Sequence, residues 1–428
     1  MQGDRSAPIC GKPDTHAPTR RSRRRAPSCP TGDPMTKDIV ILSAARTAIG
    51  TFGGSLSGIA PCDLATTIAT EAIARSGLEG AAIGQTVMGN VIHTEPRDMY
   101  LSRVAAIGAG VPETSPALTL NRLCGSGLQA VVSASEAIML GHCEAALAGG
   151  AESMSRAGHL MSARFGARMG EVTATDMMIG ALTDPFGNGH MGITAENVAE
   201  RDGVSRTEQD ATAAESHRRA AQAQCEGRFD DQILPLEVRK GRKTESFARD
   251  EMVRTDASAE DLARLRPAFR KDGSVTAGNA SGINDGAAAL VLSSAALAAK
   301  KGLAPMARIV ASGLGGVAPS LMGLGPVPAT EQALGRAGLS VADLDVIESN
   351  EAFAAQACAV SKTLGLDPAK VNPNGGAIAL GHPIGASGAI ILTKLLYELA
   401  RTGGRYGLAT MCIGGGQGIA VIVENLRR

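Results

Sequence analysis

Residues Asn121 to Gly150 read NRLCGSGLQAVVSASEAIMLGHCEAALAGG: a cysteine, a Gly-Ser-Gly turn, a long apolar helix candidate, and an apolar strand candidate closing on two glycines. The same order returns further along the chain. Ala-Ser-Gly (Ala386 to Gly388), also ahead of an apolar helix, stands 261 residues from Gly-Ser-Gly (Gly125 to Gly127), and LATMCI (Leu408 to Ile413) stands 263 residues from AALAGG (Ala145 to Gly150). Upstream, ARSGL (Ala74 to Leu78) recurs as GRAGL (Gly335 to Leu339), again 261 apart, each followed by a short apolar strand candidate ending in Gly-Asn or Ser-Asn. Gly- and Ala-rich chains match themselves easily, but several matches at one offset mark a duplicated unit.

Outward from these segments, β-rich runs such as DIVILSA (Asp38 to Ala44) and ARIVASG (Ala307 to Gly313) alternate with Ala-rich helical stretches. That alternation predicts an α/β fold with covered sheets. The two halves are unequal. In the second, the strand ending at Ile413 turns at once through GGGQG into GIAVIVENL; in the first, about 130 residues intervene before GAAALVLSS (Gly286 to Ser294) resumes the pattern. The predicted organisation is a first half at 35–150, an inserted segment at 151–283, the end of the first half at 284–305, and a second half at 306–428. The insertion is polar and charge-rich, so it is expected to lie over the core and to serve substrate recognition or subunit contacts.

Residues 1–34 hold seven Lys or Arg against three Asp and are rich in Pro, with neither an apolar h-region nor helical periodicity. A disordered extension, or a start codon read too far upstream with Met35 as the true start, is expected there. The chain as a whole is 44% hydrophobic and 20% charged with a formal charge of zero, ordinary for a soluble globular protein and without a global field to recruit nucleic acid or membrane. None of the eight cysteines forms a CxxC pair or a His-spaced set, so no metal site is expected. With no secretory signal and no apolar run long enough to span a bilayer, the expected compartment is the reducing cytoplasm.

Four constellations carry potential chemistry. Cys124 sits just before Gly-Ser-Gly and a helix, where the macrodipole and free N–H groups favour thiolate and are expected to lower its pKa. The same residues satisfy GxGxxA (Gly125 to Ala130), a dinucleotide fingerprint, but LTLNRLC reads as a poor strand and AALAGG closes on glycine rather than an acid, which disfavours an oxidoreductase. His382 lies in the Gly-rich loop NGGAIALGHPIGASG (Asn374 to Gly388), a setting suited to a general base. Cys412 ends a strand and enters GGG, whose N–H groups can bind an oxyanion. Asn350 opens NEAFA after a buried strand, either as part of a site or as an ordinary helix N-cap. The repeat places the Cys124 turn opposite the His382–Gly388 turn and the Cys412 turn opposite Gly149, so two cysteines and a histidine are expected to meet at the strand ends.

With NRLCGSG, NEAFA, GHPIGASG and CIGGGQG in this order and spacing, positions 35 to 428 resemble the thiolase family, particularly its broad-specificity bacterial β-ketothiolases and acetoacetyl-CoA-forming members. The resemblance implies a five-layered αβαβα sandwich of two similar halves, with an inserted loop domain that binds coenzyme A and helps build a tetramer. It implies reversible condensation of two acyl-CoA thioesters, with acyl-CoA and coenzyme A as substrates and no permanently bound cofactor. In that scheme Cys124 is acylated, His382 activates it, and Cys412 exchanges a proton with the α-carbon of the second thioester. His382 and a water held by Asn350 resemble one oxyanion hole; the N–H groups of Cys124 and Gly414 resemble the other. Within the insertion, LTDPFGNGHMG (Leu182 to Gly192) and TAGNASG (Thr276 to Gly282) look like coenzyme-binding segments, pointing to Leu182, His190, Met191, Phe269 and Ser281, with Arg254 as the cation near the nucleotide. Ketoacyl synthases share the fold but pair cysteine with two histidines, or with His and Asn, where this chain holds Cys412. A non-catalytic acyl-CoA-binding scaffold and a cysteine protease fit the motif set less well.

Overall fold

The computed structural model describes residues 37–162, 164–166 and 168–428; the basic stretch 1–34 lies outside the described residues. The first half comprises strand β1 (Ile39–Arg46), helix α1 (Pro61–Ser76), β2 (Gln85–Gly89), β3 (Ala117–Leu120), α2 (Ser126–Met139) and β4 (Ala145–Ser153). The chain then leaves the sheet through a long segment containing α3 (Met191–Asp202) and α4 (Arg206–Cys225) and returns as β5 (Asn284–Ser294). The second half runs β6 (Ala307–Gly316), α5 (Pro326–Ala337), β7 (Val346–Ser349), α6 (Ala354–Leu364), α7 (Ile384–Thr402), β8 (Tyr406–Ile413) and β9 (Gln417–Asn425).

The strands pair in the order β7-β8-β9-β6-β1-β5-β4-β2-β3. This path is one unit written twice. The series β1-β5-β4-β2 and β6-β9-β8-β7 each contain two antiparallel pairs followed by a parallel one. Even the irregularities repeat: β1 slips register against β5 between Ile41 and Ser43, and β6 slips against β9 between Ile309 and Ala311. The halves join where β1 meets β6, at Val40↔Arg308 and Ile41↔Ala307.

Helices α2 and α7 lie between the two sheet halves, with α1 outside the first and α5 outside the second, which makes the five-layered αβαβα sandwich. The recurring glycines now have physical roles. Gly77 and Gly338 end α1 and α5 with φ of 73° and 65°, the left-handed C-cap that glycine adopts without strain. Gly127 and Gly388 sit where α2 and α7 cross: a Cβ on Gly127 would lie 2.7 Å from the Ala389 nitrogen, and one on Gly388 would lie 2.3 Å from the Leu128 nitrogen. The strands of this interior are buried along their whole length because helices cover both faces, which is why they read as continuous apolar runs.

Two local readings differ from the structure. β4 continues past Gly150 to Ser153; the charge at Glu152 hides this in the sequence, yet its carboxylate is fully buried and accepts N–H groups from Asn90, Val91, Ile92 and Gly385. LTL also forms a strand, β3, immediately before the Cys124 turn. It was illegible because it is a half-buried strand at the end of the sheet, lacking the apolar run of a central one. The dinucleotide reading still fails, since β4 runs on through Gly149 and Gly150 into the buried Glu152 already engaged by four N–H groups.

The segment between β4 and β5 is anchored to the first half by a buried pair. The Arg46 guanidinium donates to both Asp250 oxygens (2.7 and 3.0 Å) and to Gln232 Oε1 (2.8 Å), and all of these side chains are buried. α4 packs against α6. A hairpin of His159–Met161 and Ala174–Asp176 stands out from this segment, with Leu160, Met161, Phe165 and Met169 exposed.

Candidate active site

The turn before α2 is built by its own side chains. Asn121 Oδ1 accepts the Leu123 N–H (2.8 Å), Ser126 Oγ accepts the Arg122 N–H (2.8 Å), and Ser126 Oγ donates to the Leu123 carbonyl (2.7 Å). These bonds hold Leu123 at a φ of 47°, a left-handed conformation that costs a non-glycine residue about 1 kcal/mol or more, and so fix Cys124 at the helix entrance. From the other half, β8 and β9 form a hairpin closed by Gly414–Gly416, with Gly415 and Gly416 at positive φ. The backbone N–H groups of Gly414 and of Cys124 itself lie close enough to the Cys124 sulfur to favour its thiolate.

Cys124, His382, Cys412 and Gly414 line one cavity of about 360 Å³. The two cysteines and the histidine expected to meet at the strand ends share this one cavity. Leu182, His190, Met191, Phe269 and Ser281 from the insertion form its other wall. His190 caps α3, its Nδ1 accepting the Gly192 N–H (3.1 Å), while its ring stacks on Phe269 at 4.8 Å; Phe269 in turn meets Phe353 edge-on at 6.2 Å. Arg254 is not brought in: it is exposed, and its backbone N–H donates to His217 Nδ1 (3.1 Å). Asn350 does not line this cavity either. It lines a separate cavity of about 10 Å³ with Gly381 and Ser387.

Asn350 is nevertheless no ordinary cap, because α6 is capped at Phe353. Its backbone N–H continues the ladder to the Thr410 carbonyl (3.0 Å), two residues from Cys412. The side chain is buried, and neither amide atom has a partner in the protein. Buried polar atoms left unpaired are costly, so both amide atoms call for a partner such as a water.

His382 is 5% exposed, and its Nδ1 lies 2.6 Å from Ser387 Oγ. The Ser387 hydroxyl donates to the Pro383 carbonyl (2.9 Å), so Oγ accepts from the ring and the proton belongs on Nδ1. Nε2 is then an unprotonated lone pair with no partner in the protein. Burial holds the imidazole down to about 4, so it is neutral at physiological pH.

The thiols correct one expectation. Burial pushes Cys124 up to about 11, overriding the two N–H groups that pull the other way, with the nearby Glu152 charge adding to the rise. The helix entrance does not make a resting thiolate: Cys124 precedes the N-cap Gly125 and sits in an apolar cluster with Ile92, Met154 and Ile384, where desolvation outweighs the dipole. Cys412 is 1% exposed and also raised, first by burial and then by Cys124, so the two sulfurs sense each other.

Met154, Ile179 and Met322, which no motif announces, complete the apolar walls together with Ile384. Ser387, inside the quoted GHPIGASG run, carried the signal of a hydroxyl one helical turn from the histidine.

A duplicated α/β sandwich whose halves each deliver a thiol to one buried imidazole defines a narrow class of protein. The profile described as Thiolase, N-terminal domain matches residues 39–296, and that of the Thiolase, C-terminal domain matches 303–425. The chain belongs to the thiolase family. It is 61% identical to the beta-ketothiolase BktB of Cupriavidus necator, over 92% of this chain and all of that one, and 49% identical to an acetyl-CoA acetyltransferase of Allochromatium vinosum over the same shares. Among solved structures, the Bacillus anthracis acetyl-CoA acetyltransferase superposes with a TM-score of 0.89 at 45% identity, covering 91% of this chain and 99% of that one. Human mitochondrial 3-ketoacyl-CoA thiolase in complex with CoA also scores 0.89, at 42% identity, covering 91% and 98%.

Proposed function

We propose that this protein catalyses the reversible condensation of two acyl-CoA thioesters to 3-ketoacyl-CoA and CoA through an acyl group carried on Cys124. The observation that carries this reading is the convergence of Cys124, Cys412 and the free Nε2 of His382 on one cavity. In the first half-reaction Nε2 takes the Cys124 proton as sulfur attacks the thioester carbonyl. The N–H groups of Cys124 and Gly414 stabilise the oxyanion, and the C–S bond to coenzyme A breaks as His382 returns the proton to the leaving thiolate. A resting thiol needs this base, since Cys124 does not ionise unaided near neutrality.

In the second half-reaction the freed Nε2 of His382 takes the Cys412 proton, and the resulting thiolate removes an α-proton from another acyl-CoA. Its raised pKa suits the task, because a stronger base meets a very weak carbon acid more nearly halfway. The enolate oxygen is held by the Nε2–H of His382, now an imidazolium, and by a water on Asn350; its carbon attacks the acyl thioester, and the Cys124 sulfur leaves as a thiolate that takes the proton from Nε2. The unpaired amide atoms of Asn350 support that assignment.

The 151–283 insertion is assigned to coenzyme A binding and oligomer contacts, as a homotetramer. Support comes from Leu182, His190, Met191, Phe269 and Ser281 in the cavity wall, and from the exposed apolar side chains of the 159–176 hairpin. Coenzyme A enters and leaves as part of the substrate, so no permanent cofactor is needed. Among the described residues no helix is long and apolar enough to cross a membrane, and catalytic free thiols suit a reducing cytoplasm.

Intact-mass measurement after mixing with acetyl-CoA tests the reading. One acetyl group should appear on the wild type and none on Cys124→Ala; acylation of Cys124→Ala at the wild-type rate would refute it. Turnover of malonyl thioesters without turnover of acetyl-CoA would instead favour a decarboxylative enzyme.

A further inference from the structure

Helix α7 is buried on almost every side and apolar almost throughout, yet one face carries Ser387, Lys394, Glu398 and Arg401. Ser387 is the partner of His382. Two turns further on, Lys394 is 2% exposed; its Nζ donates to Glu348 Oε2 (2.7 Å) and to the Gly375 carbonyl (2.7 Å). Glu348 is 1% exposed and stands on β7 two residues before Asn350, on the same side of the strand, and its Oε1 has no partner in the protein. Asn350, Ser387 and Lys394 all line the small cavity behind His382. A fully buried ion pair is rarely a net source of stability, because desolving two charges offsets their attraction; apolar residues of similar volume often do as well. Stability alone therefore gives little reason for this pair to sit among Ile49, Ile390 and Ile391.

We infer that the Lys394–Glu348 pair is a positioning element for the carbon-acid half-reaction, tying the end of β7 to α7 so that Asn350 is held in register with the His382–Ser387 unit. The pair touches no reacting atom and acts through Asn350. Lys394 supplies the only side-chain bond from α7 to β7 among the described residues, and it is fixed in two directions, toward Glu348 and toward the loop before His382. Cys124 is held separately, by Asn121, Ser126 and the turn before α2, so the pair bears on enolate formation and not on acyl transfer to sulfur. This inference rests on the proposed two-step chemistry.

The test is the double variant Glu348→Leu/Lys394→Met in the full-length protein, with acetyl-CoA as the probe and two rates measured. Acetylation of the protein, read by intact mass, should stay within about twofold of wild type. Exchange of the acetyl methyl protons with D2O, read by NMR, should fall at least tenfold, with unfolding midpoints unchanged or raised. Glu348→Gln, which can still accept from Nζ, should restore exchange to within about threefold. If the double variant does not fold, Lys394→Gln, shorter by one reach, should lower exchange selectively by threefold or more. Unchanged exchange, or equal losses in both rates, would overturn the inference. Absence of acetylation in the wild type would instead count against the proposed function.

Discussion

Replacing Ser387 by alanine removes one oxygen from a site where that oxygen sets the tautomer of the base. The Oγ accepts from His382 Nδ1 at 2.6 Å and donates to the Pro383 carbonyl at 2.9 Å, so the wild-type ring is committed to the form with Nε2 free. In Ser387→Ala the competent tautomer leaves its Nδ1–H buried with no acceptor, at a cost of about 1–3 kcal/mol. That cost falls on the state from which the Cys124 proton is taken, so kcat/KM should drop roughly 5- to 150-fold. Loss of a hydroxyl changes little volume, so the packing around position 387 should stay intact. Single-turnover acetylation and thiolysis of acetoacetyl-CoA are the assays, since the proposed scheme uses His382 in both half-reactions. Rates within twofold of wild type, in a variant with an unchanged unfolding midpoint, would show that the tautomer is not set by Ser387 and that the assignment of Nε2 as the base lacks its support.

Burial also fixes how the base responds to pH. In the proposed scheme the neutral imidazole is the active form, and it is lost as pH falls through its pKa; at about 4 it is roughly 97% neutral at pH 5.5, whereas an ordinary histidine at 6.5 would be about 9% neutral. The acylation rate at pH 5.5 should match that at 7.5, and a tenfold fall would refute the buried-base reading. Gly388→Ala drives a Cβ to 2.3 Å from the Leu128 nitrogen, so it should destabilise by about 1–3 kcal/mol in urea titration and slow acetylation by shifting α2, whose entrance fixes Cys124. Arg46→Met leaves Asp250 buried and uncompensated, for a loss of roughly 3–5 kcal/mol, whereas Lys37→Met at the exposed Glu144 pair should cost less than about 1 kcal/mol. Equal effects of those two substitutions would contradict the anchoring role given to Arg46.

The duplication was legible because it rests on glycines whose need is geometric. Gly77 and Gly338 occupy left-handed caps, and Gly127 and Gly388 occupy a helix crossing that excludes a Cβ; neither requirement tolerates another residue easily. The convergence of Cys124, His382 and Cys412 followed from that symmetry. The direction of the Cys124 shift did not, since a motif reveals the dipole at a helix entrance but not how much apolar protein closes over the sulfur. Arg254 carried no local signal beyond its charge, and it stands exposed outside the cavity. Glu152 and Lys394 were passed over for the opposite reason. A charge inside an apolar strand or helix reads as an interruption in sequence, while in the fold each is a buried group fully occupied in holding loops together.

The division of labour between the two thiols is most directly decided in Cys412→Ala. Mixed with acetyl-CoA, this variant should acquire one acetyl group, located on the Cys124 peptide by mass spectrometry, at close to the wild-type rate. It should also fail to release acetoacetyl-CoA and fail to exchange acetyl methyl protons with solvent. Condensation at the wild-type rate in Cys412→Ala, or an acetyl group found on any residue other than Cys124, would contradict the assignment of one thiol as acyl carrier and the other as carbon base.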